Sequence, residues 1–175
     1  MVLRSVDPDN RRPVDFELRR QMLGKIRAQA GQDRAALVDR LASNPCDGAI
    51  KLYTTSAALH LRKDQRALFA EGSYTGLTAS GTRANHVVGF ARSLGRKTVI
   101  ALAGRFFLRM FHAHPAPTGD VWGDTAVLLP RKIKQASFLD VLSGQKISIE
   151  PREDGLAIPL AQAFAHCPVA LLETE

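Results

Sequence analysis

The densest polar stretch of this chain is Asp7-Pro8-Asp9-Asn10-Arg11-Arg12-Pro13-Val14-Asp15. Two prolines hold the backbone extended or turning, so the side chains between them cannot pair along a helix face. Three carboxylates, an amide and two guanidiniums can form a hydrogen-bonding rim for a hydroxyl-rich ligand. The same guanidinium forks can lock carboxylates bidentately and make a rigid structural clasp. On residue chemistry alone the clasp comes first and the rim second. Asp7 and Asp9 do not suit a glycosidase acid–base pair. Retaining chemistry needs carboxyls ~5 Å apart about the scissile bond, normally projected from separate barrel strands. The flanking arginines would keep both groups ionised, whereas a general acid needs a raised pKa.

Other chemically suggestive residues have plainer readings. His112-x-His114 offers half a metal site, but no third ligand stands at a sensible spacing, so no metal or other cofactor is expected. His60, His86 and His166 are isolated in sequence. Ser56, Ser73, Ser80 and Ser143 lack a nucleophile-elbow context. Gly81-Thr82-Arg83 reads as a turn rather than a phosphate loop. Trp122-Gly123-Asp124-Thr125 reads as a strand-borne core tryptophan, with Asp124 and Thr125 satisfying a turn; stacking of a sugar on Trp122 is the functional alternative. Cys46 and Cys167 are expected to be two buried or half-buried thiols, since neither a disulfide framework nor CxxC spacing exists.

Helical signals position these residues up to about residue 68. Asp15 can cap a helix with Phe16, Met22, Leu23 and Ile26 at helical spacing. Gly31 permits a break, and Asp33 can cap a second helix carrying Leu37, Val38 and Leu41. Asn44-Pro45 stops it. Asp47 opens a third helix, residues 50 to about 66, with Ile50, Tyr53, Ala57 and Leu61 as an inward stripe. After Phe69 short β-prone runs follow: 72–77, 86–91, 97–103 after a hairpin at Gly95, 121–129, 137–142, 146–149, 157–158 and 169–172. Residues 161–165 favour a short helical turn. Strands at roughly 8–12 residue spacing argue for an antiparallel sandwich or barrel. The expected division is therefore 1–68 helical and 69–175 antiparallel β-sandwich, an α+β chain.

Composition narrows the function classes. The chain has 175 residues, 45% of them hydrophobic, enough for a real core. No apolar run approaches the ~20 residues of a membrane span. The longest, 98–111, is broken by Gly104, Arg105 and Arg109. Without an apolar leader in the first ten residues, cytoplasm is the expected compartment. The net charge is +7 with a pI near 9.9. The cations are dispersed rather than blocked or interleaved with aromatics, so nucleic acid is not the expected partner.

The string VDPDNRRPVD around Asp7–Asp15 is more specific than its composition. It resembles the loop after the last barrel strand of malto-oligosyltrehalose synthases, members of the α-amylase clan. DGAIKLYTTSAALHLRKDQRALFAEGSYTGL (47–77) resembles that family's final barrel helix and its entry into a terminal β domain. ANHVVGFAR (84–92), GDVWGDTAVLLP (119–130), LDVLSG (139–144) and PVALLE (168–173) resemble successive strands and turns of that domain. Each strand motif is weak alone; the ordered set covers nearly the whole chain.

The resemblance implies a carboxy-terminal fragment: the end of a (β/α)8 barrel with its last helix, then a β-sandwich. The parent enzymes are isomerases. They rearrange the reducing-end α-1,4 bond of a malto-oligosaccharide into an α,α-1,1 bond by intramolecular transglycosylation. Their catalytic carboxylates belong to earlier barrel strands, so no catalytic residue is assigned and the chain is expected to be silent alone. Asp7, Asp9, Asn10, Arg11 and Arg12 are the implied substrate-binding residues at the barrel mouth. Lys51 and Arg62 are read as structural. A stand-alone carbohydrate- or protein-binding β module is the alternative. A barrel helix deprived of its barrel also implies an exposed apolar face, hence homo-oligomerisation or rearrangement.

Overall fold

A computed structural model describes residues 14–110 and 117–174. Helices come first and antiparallel strands follow, giving an α+β chain. α1 is Phe16–Ala30 and α2 is Arg34–Ser43. Both begin as local chemistry dictates. The Asp15 carboxylate accepts from the Leu18 N–H at 2.8 Å, and Asp33 from the Ala36 N–H at 3.0 Å. Each satisfies one of the donors a helix leaves unpaired in its first turn. α3 (Ala49–Asp64) starts at Gly48, whose φ of 74° only glycine adopts easily. Asp47 assists by accepting from the Ala49 N–H at 2.8 Å. The helix does not run on to residue 66. It ends at Gln65, and a short α4 (Arg66–Glu71) follows. Helix therefore gives way to strand at Gly72, a few residues beyond the expected position.

The strands are β1 (Ser73–Leu77), β2 (Ala79–Ser80), β3 (Val87–Leu94), β4 (Lys97–Gly104), β5 (Ala126–Leu128), β6 (Ser137–Asp140), β7 (Lys146–Ser148), β8 (Glu150–Arg152), β9 (Gly155–Pro159) and β10 (Val169–Glu173). A short helix, α5 (Leu160–Ala163), stands between the last two, where the helical turn is expected. One sheet has the order β1-β3-β4-β10-β6-β7, the other β2-β5-β9-β8. β3 and β4 form the expected hairpin, with Leu94 opposite Lys97 and Gly95 at φ 59°.

Two expectations fail here. The stretch 121–129 is not one strand: Gly119–Trp122 is a 3₁₀ turn and only Ala126–Leu128 pairs. Gly119 and Gly123 flank the tryptophan at φ 59° and 51°, which bends the chain out of a ladder on both sides. Cys46 is exposed; only Cys167 is buried.

Both sheets feed one core. Ile100, Leu102, Phe138 and Leu172 from the larger sheet meet Val127 and Ile158 from the smaller, closed by Trp122 and Phe164. The last two rings meet edge to face at 4.9 Å. The helices cover the opposite face of the larger sheet. Leu37, Val38, Leu41 and Tyr53 pack with Leu142, Cys167, Val169 and Leu171, while Leu61 and Leu68 pack on Val99. β4 and β10 are thus buried on both faces, which is why they read as unbroken apolar runs. Each buried Leu or Ile contributes about 1.5–3 kcal/mol.

The α3 stripe is covered within the chain: Tyr53 and Leu61 are buried, Ile50 and Ala57 partly so. The large apolar side chains left exposed on helices α1 and α3 are Phe16, Leu18 and Leu59. No helix among the described residues is long and apolar enough to cross a membrane.

Candidate functional site

Asp7, Asp9, Asn10, Arg11 and Arg12 lie outside the described residues, as do His112 and His114. Lys51 and Arg62 are exposed on α3. Among the described residues no three metal-binding side chains gather. What the fold does bring together is a polar seam where α2 and α3 meet β6 and β10.

Asp140, at the end of β6, is the centre of that seam. Its carboxylate accepts from the Ser143 hydroxyl at 2.6 Å and from the N–H groups of Ser143 at 3.0 Å, Leu171 at 3.1 Å and Leu142 at 3.3 Å. The group is only 4% exposed. A buried carboxylate so filled with donors fixes a turn and ties β6 to β10; it has no free lone pair with which to take a proton from a substrate. Tyr53 reaches across from α3 and donates to the Leu142 carbonyl at 2.6 Å. Burial raises the Tyr53 pKa above 10.0, with the Asp140 charge adding to it and Arg34 opposing.

Cys167 lies in the same seam, its thiol donating to the Val169 carbonyl at 3.1 Å. Burial pushes its pKa up to about 11. It is therefore a protonated, inert thiol at neutral pH rather than a nucleophile. Next to it the His166 Nδ1 stands 2.7 Å from the Asp39 carboxylate, so this histidine, isolated in sequence, is held to α2 in space. These groups join helices to sheet.

An open groove of about 460 Å³ adjoins the seam, lined by Arg34, Tyr53, Ala57, His60, Asp64 and Glu173 among others. A second polar clasp closes the far end of the smaller sheet. Asp124 accepts from the Thr82 N–H at 3.0 Å and its hydroxyl at 2.9 Å, while the Thr125 hydroxyl accepts from the Arg83 N–H at 3.0 Å. The Thr82 hydrogen bonds hold the Asp124 pKa below 3.8. The Asp124 and Thr125 side chains thus pin the distant loop 81–83, while the Thr125 N–H closes their own turn on the Trp122 carbonyl at 3.0 Å. The turn read at Gly81-Thr82-Arg83 exists, and Trp122 above it is fully buried, a core residue and not a sugar platform.

No family model matches the chain. Two curated relatives named maltooligosyl trehalose synthase, from the CDC 1551 and H37Rv strains of Mycobacterium tuberculosis, are 32% identical over 167 residues. The match takes in 95% of this chain and 16% of each relative. In shape the chain superposes on a point mutant of maltooligosyltrehalose synthase from Arthrobacter ramosus, with a TM-score of 0.67 and 36% identity. That superposition covers 97% of this chain and 18% of the solved one. The chain is homologous to the carboxy-terminal portion of maltooligosyltrehalose synthases. It spans about one sixth of the length of these relatives.

Homology at that position agrees with the chemistry of the seam, which is architectural. Sequence reasoning read LDVLSG only as a strand and turn and missed Asp140 as its hub. The signal was the spacing Asp140-x-x-Ser143-Gly144, an acid followed three residues on by a hydroxyl and then glycine, which is an Asx-type turn.

Proposed function

We propose that this chain is the carboxy-terminal scaffold of a maltooligosyltrehalose-synthase-type isomerase. The reaction served is intramolecular transglycosylation: the reducing-end α-1,4 bond of a malto-oligosaccharide becomes an α,α-1,1 bond. In this reading the helices correspond to the end of a (β/α)8 barrel and the two sheets to a terminal sandwich, divided near residue 68. Asp7, Asp9, Asn10, Arg11 and Arg12 rim the reducing-end subsites at the barrel mouth. The enzyme works in the cytoplasm, and the chain makes no product alone. The single observation that carries this reading is a match over 95% of the chain to 16% of relatives that bear the synthase name.

The chemistry of the described residues supports the silent role. Retaining transglycosylation needs a nucleophilic carboxylate and a second carboxyl of raised pKa ~5 Å away. Asp140 is saturated by donors, and Asp124 has its pKa lowered. The test uses maltopentaose and an assay for loss of reducing ends. The purified chain alone should leave reducing ends unchanged. Mixed with an Arthrobacter ramosus synthase truncated before the matching portion, it should restore conversion to a non-reducing product. Product from the chain alone overturns its silence, and no restoration overturns the scaffold role.

A further inference from the structure

Two grooves flank the end of α3, and their charges differ. The one that adjoins the seam has the carboxylates Asp64 and Glu173 in its lining. The other, also about 460 Å³, is lined by Leu59, Arg62, Lys63, Arg66, Phe69 and Ala70: three cations and no carboxylate. Positions 59, 62, 63 and 66 recur at helical spacing. They therefore share the side of α3, and of its joint with α4, that turns away from the buried Tyr53 and Leu61. Leu59 is 59% exposed there.

The usual reasons for surface cations account for only part of this groove. Arg62 and Lys63 stand in the last turn of α3, where positive charge complements the helix dipole. Arg66 opens α4, where it gains nothing from the dipole. None of the three side chains has a hydrogen bond or ion pair among the described residues. Arg62 and Arg66 are four positions apart, a spacing at which like charges repel. A further cation, Arg92, donates to the carbonyl of the lining residue Phe69 at 2.6 Å and adds to the positive field. Asp64 lines the opposite groove and Glu71 does not line this one, so no carboxylate in the lining neutralises it.

Charge and wall chemistry together narrow what fits. A single carboxylate would balance one of the cations. Phosphoryl groups carry up to two charges and three acceptor oxygens each, which suits two guanidinium forks and an ammonium. The side chains of Leu59, Phe69 and Ala70 offer no hydrogen-bonding group, so sugar hydroxyls laid against them would lose water without compensation. A nucleobase instead presents a flat face to such a wall. The volume lies within the range of small-molecule sites, about 300–1,000 Å³.

We propose that this groove binds a nucleoside polyphosphate, with its phosphates on Arg62, Lys63 and Arg66 and its base against Leu59 and Phe69. The site goes beyond the scaffold role and does not rest on it.

Equilibrium dialysis of the full chain against ATP, pyrophosphate, glucose 6-phosphate or adenosine, in EDTA at one fixed salt concentration, tests this. ATP should saturate a single site, with the other three ligands at least tenfold weaker. Arg66→Gln should weaken both ATP and pyrophosphate at least fivefold, whereas Leu59→Ser should weaken ATP alone. Lys25→Gln, the same charge change at an exposed position of α1, should bind ATP as the wild type does. All three positions are exposed, so the variants should melt with the wild type. Absence of saturable ATP binding overturns the proposal. An equal loss in Lys25→Gln assigns binding to the general positive charge of the chain and overturns it too. Pyrophosphate or glucose 6-phosphate binding as tightly as ATP overturns the nucleoside assignment.

Discussion

The Tyr53 hydroxyl donates to the Leu142 carbonyl at 2.6 Å, joining α3 to the turn after β6 across 89 positions of sequence. Both groups are buried, so neither can turn to water if the other is lost. Tyr53→Phe keeps the ring and its packing and removes only the donor. It should cost about 1–3 kcal/mol, the penalty of a buried acceptor left unsatisfied. Urea unfolding followed by circular dichroism measures it as a lower midpoint at constant slope. A midpoint equal to wild type would mean that the helices are held by apolar packing alone.

Asp140 gives the sharper case. An asparagine in its place would be isosteric, but one of the two terminal atoms would be a donor facing the N–H and O–H donors that now converge on the carboxylate. Asp140→Asn should therefore destabilise by about 3 kcal/mol, more than Ser143→Ala, which removes one donor and leaves three. The ranking is the test. If Ser143→Ala is the more damaging variant, Asp140 is not the hub.

How far these features could be read in advance depended on their range. Asp15 and Asp33 were legible as caps because the carboxylate and its N–H are three residues apart. The Gly95 hairpin was legible for the same reason. β4 and β10 showed as apolar runs, but nothing local said that they lie side by side, or that helices cover their second face. The homology itself was legible in the ordered motifs from Asp7 to Glu173. The seam was not, because Tyr53, Asp140 and Cys167 meet only once the sheet order is known. Trp122 was legible as core, but the strand expected over 121–129 was not there, because Gly119 and Gly123 take positive φ on either side of the tryptophan. His166 looked isolated because its partner, Asp39, is 127 positions away.

The two cysteines should separate cleanly by chemistry. Cys46 is exposed and Cys167 buried, so a thiol reagent on the native chain should label one thiol quickly and the second only on unfolding. The buried thiol also leaves a mark on stability against pH. Below pH 9.0 it is protonated in both the folded and the unfolded chain, and its contribution is whole. Between 9.0 and about 11 the unfolded chain loses this proton while the folded chain keeps it, so stability falls as pH rises. Cys167→Ala should flatten that part of the curve relative to wild type. A Cys167→Ala curve parallel to wild type through this window would mean that the thiol ionises alike in both states.

Gly72 sits where helix turns to strand, and its backbone is ordinary: φ is −64°, open to any residue. What excludes a side chain is proximity. A Cβ there would stand 2.3 Å from the Leu68 carbonyl oxygen and 3.0 Å from that of Ser93. Both are backbone atoms in regular structure, one in α4 and one in β3, so neither can rotate away as a side-chain tip would. The Gly72 N–H also donates to the Leu68 carbonyl at 3.0 Å, and moving apart to admit a methyl group would weaken that bond. Gly72→Ala should therefore cost about 1–3 kcal/mol, as overpacking does, despite alanine's better helix propensity. Gly24→Ala is the control. It lies within α1 with nothing near its Cβ position, and there alanine should stabilise by up to about 1 kcal/mol. Opposite signs for the two substitutions in thermal unfolding would confirm that the joint between α4 and the sheet is set by contact; equal signs would place the α4–β3 approach elsewhere.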